Sequence, residues 1–193
     1  MKNGLFPGEH MSSASHGRCD ASLASQSPLG EVLGGDAQGS DRRTQDILFV
    51  CSSGGHLSQL VTLRPWWEVH RRRWVTFDLP DTRGKLMGEE VISAYHPTTR
   101  NIRNMVRNGV LAMWLLSFRR PDVIISTGAG VAVPFFYIGA LLGIPRIFIE
   151  VYDRFDSSTL TGRLCRPVTT VFCVQTEQQL RVYPGARLIG PLL

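Results

Sequence analysis

Lysine is nearly missing from this chain: of 21 basic residues only Lys2 and Lys85 are lysines, so arginine carries almost all of the positive charge. Cysteine is sparse as well. Cys19, Cys51, Cys165 and Cys173 form no CxxC pair and lie too far apart for a local zinc site. Cys51 and Cys173 sit inside apolar runs, where a free thiol acts as a small hydrophobe, and a reducing compartment fits. Charged residues make up only 19% of the chain against 43% apolar, which excludes a wholly disordered protein. No heptad or collagen period runs through it. No basic stretch followed by an apolar core opens it, so no secretory signal is expected. No GK[ST] follows its glycine loops, which excludes a Walker-type nucleotide site. Helix-turn-helix, RNA-recognition and zinc patterns are also missing, so no nucleic-acid partner is expected. No metal or cofactor is called for.

What is present is a 193-residue chain with a net charge of +5, long enough for one domain with a core and a tail. Residues 1–45 hold seven glycines, seven serines and one aromatic residue, Phe6. Such a composition cannot offset the entropy of ordering, so a disordered tail is expected there. The remainder, 46–193, carries seventeen basic against eleven acidic groups and has a different texture. Short β-branched or aromatic runs, at 47–50, 74–77, 91–95, 123–126, 146–149 and 168–174, alternate with helical stretches near 56–70, 100–118 and 131–142. That alternation predicts an α/β domain, a single Rossmann-like doubly wound parallel sheet. The run 123–145 holds no charged residue over a length that could cross a bilayer. Its glycines and Pro134 favour a buried strand, a glycine turn and a buried helix instead.

Two glycine turns follow apolar strands and precede helices. The first is Cys51-Ser52-Ser53-Gly54-Gly55-His56, the second Ser126-Thr127-Gly128-Ala129-Gly130. Glycines at a strand's carboxyl end let a ligand approach the backbone, and the helix that follows presents free amides and a positive dipole end, an arrangement that favours phosphate. Two such turns belong on one edge of the sheet, where open α/β sheets bind ligands. His56 has two readings: a proton-transfer group beside a sugar hydroxyl or phosphate, or a helix-start histidine that packs and caps. The second turn also imitates a dinucleotide fingerprint, with Glu150 at the end of the next strand, but Val133 stands at the third glycine position.

A third candidate, residues 150–163, mixes acids, arginines and hydroxyls at a strand end. It suits a site for sugar hydroxyls and an anion, or else it is a charged surface loop. Arg100, Arg103 and Arg107 precede an apolar segment containing Met113 and Trp114 that Arg119 and Arg120 close. That helix is either buried or dips into a lipid interface with its arginines on headgroups. The run Arg71-Arg72-Arg73 reads as a solvated helix end.

Taken together, SSGGH at 52–56, RNIRNMVRN at 100–108, RPDVIISTGAGVAVPF at 120–135, IEVYDR at 149–154, STLTGR at 158–163 and the terminal IGPLL resemble the Alg14-like family, with its bacterial PssD and CpsF types of capsule and exopolysaccharide synthesis. The likeness covers about 46–193. Its members look like the amino-terminal half of a GT-B glycosyltransferase, similar to the acceptor domain of MurG-type enzymes. The resemblance implies one subunit of an inverting hexosyltransferase, with a second subunit carrying the UDP-sugar site and a polyprenyl-diphosphate-linked acceptor. It implies peripheral placement on the cytoplasmic face of a membrane; many eukaryotic members begin with a transmembrane anchor, whereas the leader here is polar. Carried residue by residue, the resemblance makes His56 the base, with Glu150 as fallback. Gly54, Gly55, Gly128 and Gly130 would cradle the diphosphate, Ser53 and Thr127 would be substrate-binding beside them, and Arg154, Ser158 and Thr161 would belong to the substrate-binding loop beyond Glu150. Arg103, Arg107, Met113, Trp114 and Arg119 would meet the membrane. Two rivals stand beside this: a non-catalytic activator of the partner, and a nicotinamide-binding oxidoreductase.

Overall fold

The structure, a computed structural model, describes residues 44–154 and 157–192; the expected tail, 1–45, therefore lies outside the described residues except for Thr44 and Gln45. The described chain forms one seven-stranded sheet, all parallel, in the order β3-β2-β1-β4-β5-β6-β7. The strands are β1 (Asp46–Val50), β2 (Arg71–Thr76), β3 (Val91–Ser93), β4 (Val123–Ser126), β5 (Arg146–Ile149), β6 (Val171–Val174) and β7 (Arg187–Leu188). Between them run helices α1 (Gly55–Thr62), α2 (Arg64–Trp67), α3 (Pro80–Lys85), α4 (Ile102–Phe118), α5 (Ala132–Leu141), α6 (Leu160–Cys165) and α7 (Glu177–Val182).

Period-two alternation splits the core between the two faces of the sheet. Ile47 and Phe49, Val123 and Ile125, Ile147 and Ile149 pack with Leu57, Leu60, Trp67 and Trp74 on the side of α1 and α2. Leu48 and Val50, Ile124 and Phe148 pack with Leu115, Leu116, Phe135 and Phe136 on the side of α4 and α5. Strands covered on both faces read as unbroken apolar runs, as these do. The uncharged run 123–145 divides into β4, a glycine corner and α5, and no helix among the described residues is long and apolar enough to cross a membrane.

Several boundaries differ from expectation, each for a local reason. The helix expected over 56–70 is two, because Pro65 has no N–H to continue the ladder and instead opens α2. The helix expected from Arg100 starts at Ile102: Arg100 has φ 52°, outside helical space, and Asn101 caps by accepting from the Asn104 amide at 3.0 Å. The run Arg71-Arg72-Arg73 is the start of β2 and not a solvated helix end. Arg72 grips Glu89 with two bonds of 2.7 Å, and Arg73, only 4% exposed, bonds Asp46 at 2.9 Å. β6 begins at Val171, after a short 3-10 turn (Arg166–Val168) holding Pro167. Helices α3, α6 and α7 went unpredicted, being six residues each and too short to show a helical period.

Candidate active site

Strand order reverses between β1 and β4, the switch point where open parallel sheets form a crevice at their carboxyl ends. Both glycine turns stand there, as the sequence pattern predicts. They are stapled together: His56 Nδ1 meets the Thr127 carbonyl at 2.8 Å, and Thr127 Oγ1 donates to the His56 carbonyl at 2.9 Å. A carbonyl only accepts, so Nδ1 carries the ring proton and Nε2 is left as the acceptor in the neutral imidazole. Burial lowers the pKa of His56, with the Thr127 carbonyl and Asp153 opposing that shift, so the ring is neutral at pH 7. A neutral imidazole with a free Nε2 is what a general base requires.

His56, Gly128 and Ala129 line one side of a cavity of about 160 Å³. Val151, Asp153 and Arg154 line it from the loop after β5, with Thr159 and Thr161 beside them at the start of α6. His56, Gly128, Arg154 and Thr161 are thus brought together as the sequence suggested. Ser158, Ser53 and Gly55 are not among the cavity residues. Gly54 and Gly128 have φ of 76° and 107°, which explains glycine at both corners. Their amides are already used: Gly54 N donates to Asp81 Oδ2 at 3.0 Å, and Gly128 N to Ser126 Oγ at 2.9 Å. Gly130 has a packing role, since a Cβ there would lie 3.0 Å from Thr98 Cβ. Thr127, 1% exposed, is the staple between the corners, and its hydroxyl and carbonyl are both spent on His56.

Glu150 is the largest revision. It is fully buried beneath the loop, where its carboxylate accepts from Thr159 Oγ1 at 3.1 Å, from the Val151 amide at 3.3 Å and from the Tyr183 hydroxyl. Burial holds its pKa above the ordinary carboxylate range, while Tyr183 and Thr159 pull it down. A carboxylate so enclosed meets neither an acceptor hydroxyl nor a ribose, which removes the feature that favoured a nicotinamide site. Its effect is mechanical. Thr159 caps α6 through the Gly162 amide at 2.9 Å, and Gly162 has no room for a side chain against Glu150 and Tyr183.

Sequence reading missed a buried glutamine network that builds the same loop. Gln175 Nε2 donates to Gln59 Oε1 at 2.6 Å and to the Glu150 carbonyl at 2.8 Å, while Leu192 N donates to Gln175 Oε1 at 2.9 Å. Thus α1, β5 and the terminal IGPLL meet at one side chain. The signal for α7 was present in Thr176-x-x-Gln179, a capping box that the structure forms. Among the described residues the cysteines add no nucleophile, because burial pushes Cys51, Cys165 and Cys173 up to about 12.

Helix α4 is buried on one face and exposed on another. Ala112, Leu115 and Leu116 are buried, while Ile102, Val106, Val110, Met113, Trp114 and Phe118 form an exposed stripe at helical spacing. Arg103 and Arg107 are exposed on the same helix. Arg119, by contrast, is bonded to Glu90 at 2.5 Å and 3.1 Å.

The family described as "Oligosaccharide biosynthesis protein Alg14 like" matches residues 89–192, more than half of the sequence. The chain belongs to the Alg14-like family. Among similar proteins of this Alg14-like chain is a UDP-N-acetylglucosamine transferase subunit ALG14 of Debaryomyces hansenii, 25% identical over 80% of this chain and 79% of that protein. The protein of the same name from Mus musculus is 24% identical over 79% of this chain and 85% of its own length. Solved structures of similar fold include MurG of Acinetobacter baumannii, with TM-score 0.62 and 15% identity over 76% of this chain. A UDP-N-acetylglucosamine 2-epimerase from Rickettsia bellii follows, with TM-score 0.58 and 12% identity over 72% of this chain. The Alg14-like chain spans 45% of the MurG chain and 41% of the epimerase chain. At these identities the likeness is one of fold.

Proposed function

We propose that this chain is the acceptor-side subunit of a two-chain inverting glycosyltransferase of GT-B type. It passes a sugar from a UDP-sugar to a polyprenyl-diphosphate-linked acceptor in lipid-linked oligosaccharide or exopolysaccharide synthesis. The names of the two relatives support UDP-N-acetylglucosamine as donor and a subunit arrangement. The observation that carries the reading is His56: a neutral imidazole with its Nδ1 fixed on Thr127 and its Nε2 an acceptor at the switch-point cavity. In the reaction Nε2 takes the acceptor's hydroxyl proton as that oxygen attacks the anomeric carbon. The bond to the diphosphate breaks on the opposite face and UDP leaves with the electron pair. Arg154, exposed at the cavity, supplies charge for a phosphate oxygen.

A cavity of about 160 Å³ is small beside the roughly 300–1,000 Å³ of ordinary ligand sites. The rest of the cleft, with the donor site, belongs to the partner. The membrane contact is the exposed stripe of α4 with Arg103 and Arg107, extended by Tyr137 and Leu141 on α5 and Leu160 and Leu164 on α6. None of these three helices contains an acidic residue, as suits an anionic lipid surface at the cytoplasmic face.

The test is transfer by the complex of this chain with its partner. His56→Ala lowers kcat by about a hundredfold or more, and the native acid limb falls below the usual imidazole range because burial lowers His56. Full turnover by His56→Ala removes His56 as base. Robust transfer by the partner alone favours the second reading, a non-catalytic activator, which the occupied amides of Gly54 and Gly128 already suit.

A further inference from the structure

Asp153 belongs to the loop after β5 and lines the same cavity as His56. The ring of His56 has spent Nδ1 on a carbonyl, which orients it but carries no net charge to balance an imidazolium. The groups that share the cavity with the ring are few. Thr159, whose hydroxyl is spent on Glu150 and the Gly162 amide, and Thr161 line it at the start of α6, and Asp153 and Arg154 line it from the loop. Asp81, near the first corner, is engaged by the Gly54 amide at 3.0 Å and by Lys85 Nζ at 3.5 Å. Glu150 lies beneath the loop, bonded to Thr159 and Tyr183. Asp153 is exposed and, among the described residues, is in no ion pair.

Its backbone is fixed from below. Gln179 Nε2 donates to the Val151 carbonyl at 2.7 Å and the Arg154 carbonyl at 3.1 Å, bracketing Asp153. Gln179 is itself fully buried, and its Oε1 accepts from the amides of Gln175 at 2.8 Å and Thr176 at 3.2 Å. Every hydrogen-bonding atom of that amide is engaged, so residues 151–154 are held at both ends.

We propose that Asp153 is the counter-charge of His56: across the shared cavity its carboxylate balances the imidazolium formed when Nε2 takes the acceptor's hydroxyl proton, and Gln179 is the positioning residue that keeps it there. The proposal rests on the transferase reading and deepens it. Asp153 takes no proton; the proton stays on Nε2, the oxygen's electron pair forms the new glycosidic bond, and the broken bond's pair leaves with UDP. Its charge raises the basicity of His56 against the larger lowering by burial.

Two measurements test this on the full chain. The first is an NMR titration of the His56 ring in the native protein, Asp153→Asn and Asp153→Glu. Asp153→Asn lowers the midpoint by about half a pH unit or more, Asp153→Glu restores most of it, and the difference shrinks at about 0.5 M salt. An unmoved midpoint in Asp153→Asn overturns the proposal. The second is transfer by the complex with its partner, where Asp153→Asn lowers kcat about tenfold, leaves the donor KM unchanged and moves the acid limb down with the midpoint. Unchanged kcat in an active complex also overturns it. A native complex that transfers nothing while the midpoint still moves refutes the transferase reading, and the catalytic half of this proposal with it, but leaves the electrostatic pairing standing.

Discussion

The two rims of the sheet use charge in opposite ways. At the amino-terminal rim, where the strands begin, guanidinium groups are matched to carboxylates: Arg72 to Glu89, Arg73 to Asp46, Arg119 to Glu90. Asp122 accepts from the Asp46 amide at 2.8 Å, and Arg73 also reaches the Arg119 carbonyl at 2.9 Å. At the carboxyl-terminal rim the buried amides of Gln59, Gln175 and Gln179, the buried Tyr183 hydroxyl and the half-buried Thr159 hydroxyl surround one enclosed carboxylate, Glu150. Asp81 and Lys85 pair with each other at the first corner, while Asp153 and Arg154 stand exposed at the cavity. One rim spends its charges on tying strands together. The other fixes the backbone beside the cavity with neutral groups and leaves Asp153 and Arg154 exposed there.

Substitutions sharpen that contrast. The largest effect belongs to Gly162→Ala, whose Cβ collides with Glu150, Tyr183 and Thr159. It should cost about 3 kcal/mol in urea unfolding, and a loss near zero would show that the loop is not packed as described. Next comes Glu150→Gln. Because burial raises Glu150, the stability linked to it is present below the ordinary carboxylate range and is lost as pH rises through the shifted value. The variant has no such titration. Its melting temperature, relative to native, should therefore improve from about pH 4 to about pH 8, and the opposite trend would mean that Glu150 is stabilised as an anion. Positioning, as distinct from base catalysis, also lets the variant keep much of its transfer activity.

Smaller effects separate the exposed stripe of α4 from the paired rim. Trp114→Glu, on the exposed stripe, should weaken binding to anionic vesicles about tenfold with the fold intact by circular dichroism. Arg119→Ala should leave vesicle binding unchanged, since that guanidinium is already held by Glu90. Equal losses in both variants would dissolve the distinction between the exposed stripe and the paired Arg119.

Much of this site was legible in the chain because it depends on local rules. A glycine after an apolar strand marks a corner whether or not its partner is known, and two corners on parallel strands must share an edge. The boundary errors were local too, at Pro65, Arg100 and Pro167. Residue roles were harder to read. Thr127 and Gly130 stand in a motif that looks ligand-binding, yet one staples the corners and the other gives way to Thr98. Arg119 reads like Arg103 and Arg107 until Glu90, twenty-nine residues away in sequence, is placed beside it.

Composition and spacing alone therefore determined the parallel sheet, its alternating core, the placement of both glycine corners and the histidine between them, since all of these follow from period, propensity and turn chemistry along the chain. Tertiary structure decided which polar groups remain for chemistry. Glu150 went under the loop, Asp153 and Arg154 came out over the cavity, and the amides of Gly54 and Gly128 found Asp81 and Ser126. The reason is that a polar group's role depends on its burial and on partners that chain folding brings from far away, and neither is written in its neighbours in sequence.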